Sequence, residues 1–125
     1  MAWLFEDEST SATESLLNRL KTEEALVPTL WVYEVGNVLL MAERRKRIKE
    51  AQARRFTQLL ESLPIRISDP HRQSLWSNAV VVAREHGLSV YDGIYLDLAM
   101  REGMPLATRD KALRRAAKKA GLEIY

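Results

Sequence analysis

Four short apolar stretches set the strongest limit on the fold: "EALVP" at 24–28, "PIRI" at 64–67, "MPLAT" at 104–108 and "LEIY" at 122–125. Each is the length of a buried strand and too short for a stable helix. Segments with helical apolar spacing separate them. A chain in which strands alternate with helices folds into a parallel sheet covered on both faces, an α/β architecture. With 125 residues, 46% apolar and 29% charged, it is expected to form a single domain over 1–125.

The helices have recognisable limits. "SATESLLNRL" carries Leu16, Leu17 and Leu20 at helical spacing. A long helix is predicted from Thr29 to about Arg47, with Trp31, Val35, Val38 and Ala42 on one stripe, and a second from about Lys49 to Leu63. Asp69-Pro70 starts the next, a capping acid followed by proline in the first turn. Leu75, Trp76, Ala79, Val82 and Ala83 are its apolar positions, and Gly87 ends it. Ser89 opens a further helix that stops at Gly103. Asp110 caps the last, which ends at Gly121.

Composition removes several function classes. There is no cysteine, hence no disulfide, thiolate metal site or cysteine nucleophile. No apolar run approaches the ~20 residues that cross a bilayer, and "MAWLF" lacks the basic lead-in of a secretory signal. A cytoplasmic protein without membrane contact is expected. Neither G-x-G-x-x-G nor G-x-x-x-x-G-K-[ST] occurs, which counts against a nucleotide-binding domain. Net charge is only +2, but bases gather in "ERRKRIK" and "RDKALRRAAKK". Such clusters either form a solvated helix face or meet nucleic-acid phosphates.

Parallel sheets place their sites beyond the carboxyl ends of the strands, and three acids merit scrutiny there. Glu34 shares a helix face with Leu30, Trp31, Val38 and Met41, with Asn37 as its nearest polar neighbour. It is either an acid at the rim of the stripe or one held for a cation. Asp92 follows Ser89 in an S-x-x-D capping box at the amino end of an apolar helix. Asp110 is a helix N-cap directly after a strand, with Thr108 and Arg109 in the same turn. Asp97 has a simpler role, pairing with Arg101 at i,i+4. Carboxylates ~5 Å apart repel by about 3 kcal/mol at an effective dielectric of 20, so a cluster needs a cation or protons. An all-oxygen donor set favours Mg²⁺ or Mn²⁺ over zinc. His71 and His86 open and close one helix, and a histidine in a last turn commonly serves the helix dipole.

"LVPTLWVYEVGNVLL", "GLSVYDGIYLDLAMREGMPLATRDKAL" and "AGLEIY" resemble the PIN-domain ribonucleases, and most closely the VapC-like toxins of toxin–antitoxin pairs. The E-x-x-N-V-L helix, the Y-D helix start and the P-L-A-T-x-D turn occur in order. The resemblance implies a three-layer α/β/α sandwich with a five-stranded parallel sheet in the order 3-2-1-4-5. It also implies a Mg²⁺ (or Mn²⁺) site at Glu34, Asp92 and Asp110, with Thr108 and Asn37 as possible helpers. The implied activity is endonucleolytic hydrolysis of RNA. The implied partners are an RNA substrate, a cognate antitoxin and a second protomer, with "VVVARE" or "ERRKR" as candidate dimer faces. Arg109, Lys111, Arg44 and Arg45 are candidates for steering RNA.

The family pattern also has a first strand ending in an aspartate, and "MAWLFEDE" matches the family's first helix, after that strand. The expectation is therefore a sheet lacking its central strand. Its flankers would pair directly, accept a strand from another chain, or belong to a protein whose reading frame starts upstream; the last is favoured. The rival reading of function is a catalytically inactive module that only binds an antitoxin or partner protomer.

Overall fold

The computed structural model describes residues 24–68, 74–108 and 110–124. The helix expected at "SATESLLNRL", the Asp69-Pro70 start, His71 and Arg109 lie outside them. The chain divides between Ile67 and Ser68 into two compact units.

The first unit opens with strand β1 (Ala25–Pro28) and helix α1 (Thr29–Arg44). Pro28 holds an extended backbone that ends the strand and starts the helix. Trp31, Val35 and Leu39, four residues apart, form the buried stripe of α1; Val38 and Ala42 are only half-buried beside it. The helix stops three residues short of the expected Arg47. Lys46 takes the left-handed conformation with φ 60°. The Arg47 N–H then reaches back to the Ala42 carbonyl at 2.9 Å and the Lys46 N–H to that of Glu43 at 3.0 Å. This closure usually falls to glycine; a lysine performing it leaves no stop signal in the sequence.

Helix α2 (Glu50–Ser62) follows. The Gln52 side chain accepts the Lys49 N–H at 2.8 Å, and Arg54 pairs with Glu50 one turn away. Strand β2 (Ile65–Ser68) then lies parallel to β1 in a two-stranded sheet. The Ala25 N–H donates to the Pro64 carbonyl at 2.9 Å.

The second unit is dominated by packed helices. A π turn (Leu75–Ala79) runs directly into α3 (Val80–His86). The wider turn advances the side chains by less than a regular helix does. Trp76, expected on the apolar stripe, is consequently 70% exposed, while Ala79, Val82 and Ala83 are buried. His86 sits in the last turn of α3, and Gly87, left-handed at φ 64°, ends it.

Helix α4 (Val90–Glu102) starts on Ser89 and ends at Gly103, both as expected. Positions 95–99 are all buried, the mark of a helix enclosed on most sides. Asp97 falls in that run at 7% exposure, and Arg101 Nε donates to its Oδ2 at 3.0 Å. Against α3 and the π turn, α4 comes very close at Gly93. A Cβ there would stand 2.7 Å from the Ala79 carbonyl oxygen and 2.8 Å from Ala83 Cβ.

The last two expected strands are present only as a single parallel bridge, Leu106 to Ile124, closed by the Leu106 N–H on the Glu123 carbonyl at 2.9 Å. Both "MPLAT" and "LEIY" thus contribute far less sheet than their apolar character suggested. The two observed pairings, β1 with β2 and 106 with 124, are the 2–3 and 4–5 neighbours of the order 3-2-1-4-5. Helix α5 (Lys111–Lys119) buries Leu113, Ala116 and Ala117 and has no acid along its length. Its same-sign neighbours at i+3 and i+4 disfavour the helix by about 0.2–0.5 kcal/mol per pair. Lys111 at the positive end of the helix dipole adds roughly 0.3–1 kcal/mol.

Candidate metal centre

Asp110 is the most completely defined of the three acids. Thr108, 5% exposed, ends the bridged segment and organises the turn. Its Oγ1 accepts the Asp110 N–H at 3.1 Å, and its carbonyl accepts Arg114 Nη1 at 2.9 Å. Asp110 Oδ2 then caps α5 by accepting the Leu113 N–H at 2.9 Å. The residue is exposed, and among the described residues Oδ1 makes no hydrogen bond. One carboxylate oxygen thus serves the fold, and among the described residues the other is an uncommitted hard donor.

Asp92 stands in the first turn of α4 and is half-buried. Its N–H donates to Ser89 Oγ at 3.1 Å, the backbone half of the expected capping box. The positive end of the helix dipole favours its charge. Its neighbour Gly93 is pressed against Ala79 and Ala83, so the backbone that carries the carboxylate cannot move towards α3.

Glu34 lies on α1 at the margin of the buried stripe, half-buried between Trp31 and Val38, with Asn37 exposed one turn on. Asp92 and Asp110 belong to the second compact unit and Glu34 to the first. Among the described residues, no group of three or more His, Cys, Asp or Glu side chains is gathered as a metal site. The donor chemistry nonetheless suits a hard divalent cation: carboxylate oxygens, one of them uncommitted at Asp110, with no thiolate available.

A family model for the PIN domain matches residues 1–119. The chain belongs to the PIN domain family. No curated protein matches it at a significant level. PIN domains are generally nucleases that use divalent metal ions, and PIN nucleases bind RNA. Membership therefore assigns this PIN domain hydrolytic nuclease chemistry in general terms. No helix among its described residues is long and apolar enough to cross a membrane.

Three features of this PIN domain had no counterpart in the sequence reading. The Arg114–Thr108 bond spans six positions, outside the helical i+3 and i+4 neighbours. The π turn changes side-chain phase without any marker residue. Gly93 follows Asp92 in a pair that ordinarily signals a turn, whereas here the missing side chain admits a neighbouring helix.

Proposed function

We propose that this PIN domain is a Mg²⁺-dependent endoribonuclease, with Mn²⁺ as an alternative ion, and the toxin of a toxin–antitoxin pair. The observation that carries the reading is the family match over 1–119, supported by the three acids in the E-x-x-N-V-L, Y-D and P-L-A-T-x-D motifs. Glu34, Asp92 and Asp110 are the residues that would hold the ion, directly or through water. When bound, the ion supplies Lewis acidity, lowers the pKa of water and offsets charge on the phosphoryl oxygens.

The chain's own groups do the positioning. Thr108 and the Leu113 N–H fix the Asp110 carboxylate so that Oδ1 stays available. Ser89 and the Gly93 contact fix Asp92. One acid accepts the proton of the attacking water as its oxygen bonds to phosphorus, an ester P–O bond breaks, and the departing oxygen takes a proton from solvent. Asn37, exposed one turn from Glu34, offers its amide to the substrate. The cognate antitoxin is a protein whose extended basic segment meets the same acids, and the working form is a homodimer.

The test is cleavage of a structured RNA with and without Mg²⁺. Asp92→Asn is expected to lower the rate at least about 100-fold, the scale on which single preorganised electrostatic groups act, with an unchanged circular dichroism spectrum. Metal-independent cleavage, or full activity in Asp92→Asn, contradicts the reading. Inactivity of the unsubstituted chain combined with tight binding of a basic peptide supports the inactive module instead.

A further inference from the structure

The outward face of α5 presents Lys111, Arg115, Lys118 and Lys119, all exposed. The buried stripe of Leu113, Ala116 and Ala117 occupies the opposite side. Among the described residues none of the four cations is in an ion pair. Elsewhere Arg54 pairs with Glu50 in α2 and Arg101 with Asp97 in α4, and single cations such as Arg55 and Arg84 stand beside an acid-bearing stretch of their own helix, whereas α5 has no acid along its length. Along α5 itself the cations meet only like charge at i+3 and i+4; Lys111 opposes the helix dipole, while Lys118 and Lys119 in the last turn are favoured by it. The like-charge spacing and Lys111 are thus kept although the helix itself disfavours them, as expected where an external polyanion supplies negative charge.

Placement says which polyanion. Lys111 directly follows Asp110, the capping acid of this helix. Lys111, Arg115 and Lys118 recur about every 4.5–6 Å along the axis, a ladder on the scale of successive phosphates in a flexible strand. We propose that this face of α5 is the track for the sugar–phosphate backbone of single-stranded RNA entering at Asp110. For the identity of the polyanion, this rests on the nuclease reading above.

The experiment measures binding of a fluorescent single-stranded oligouridylate to the full chain in EDTA, so that cleavage plays no part, over a range of KCl concentrations. The logarithm of affinity is expected to fall linearly with the logarithm of salt. Arg115→Gln and Lys118→Gln should each flatten the slope by about 0.7 and weaken binding roughly fivefold to tenfold at ~50 mM salt. Relief of like-charge repulsion and loss of the favourable dipole interaction at Lys118 nearly cancel, so the thermal midpoint should stay almost unchanged and weaker binding cannot be ascribed to unfolding. Lys111→Gln and Lys119→Gln provide a second pair, and Arg54→Gln is the control that leaves the slope unchanged. An unchanged slope in the Arg115→Gln, Lys118→Gln double variant overturns the proposal. So does displacement of the RNA by polyglutamate at equal charge concentration, which would mark the face as a site for an acidic protein. Binding through α5 without any Mg²⁺-dependent cleavage overturns the nuclease reading alone, and cleavage with an unchanged slope overturns the track alone.

Discussion

The two compact units bury their helices on different terms. Among the described residues, eleven of the fourteen buried apolar side chains belong to the unit that begins at Ser68, and three to the one before it. The later unit encloses α4 along a continuous run and presses Gly93 onto Ala79 and Ala83. Among the described residues of the earlier one, the buried apolar side chains form a single stripe of α1. Asp92 and Asp110 therefore stand on helices locked by packing and capping, whereas Glu34 stands at the edge of a stripe. A tightly packed frame transmits small changes.

Paired substitutions can break or sharpen that contrast. The largest effect is expected at Leu96, which is 0% exposed. Leu96→Ala should cost about 4–5 kcal/mol, the upper end for a buried leucine, and Leu39→Ala about 2–3 kcal/mol. Chemical denaturation of both variants decides, and equal losses would remove the contrast.

The glycines should come next, with opposite signs. Gly93→Ala forces a Cβ onto backbone and should destabilise by about 1–3 kcal/mol. At Gly36, a Cβ meets nothing within 4 Å. Gly36→Ala in the interior of α1 should therefore stabilise by about 0.5–1 kcal/mol. Thermal melts compare the two.

At Asp110, stability and activity should separate. Asp110→Ala removes the α5 cap at about 0.5–2 kcal/mol, whereas asparagine caps as well as aspartate. Asp110→Asn should keep the melting midpoint and lose Mg²⁺-dependent cleavage, and a midpoint that falls equally in both variants would show the carboxylate charge itself to be structural. The smallest effect belongs to Lys46→Gly, where relief of the left-handed strain is largely offset by the ~0.5–1 kcal/mol entropy cost of glycine, so the melting midpoint should rise only slightly.

Much of this molecule is legible in local chemistry. Pro28, Ser89, Gly103 and Asp110 mark element ends where the structure has them, because capping and φ restrictions act within a few residues. Asp97 finds Arg101 because i,i+4 neighbours meet on any helix. Other features depend on partners distant in sequence. The π turn displaces Trp76 from the apolar stripe without a signal, and Lys46 ends α1 where a glycine would have announced the stop. The role of Gly93 exists only once α3 lies against it. The strands shrink to a short pair and one bridge because apolar character reports burial, not ladder length. For the three acids, residue type and setting could be read from spacing, while a shared ion is a matter of tertiary placement that no local pattern encodes.

Binding of Mn²⁺ to the full chain, counted by electron paramagnetic resonance, tests the central claim most directly. The account predicts a site lost on Glu34→Gln, on Asp92→Asn and on Asp110→Asn alike, each in a chain that still melts cooperatively. Undiminished Mn²⁺ occupancy in any one of the three would contradict a shared centre.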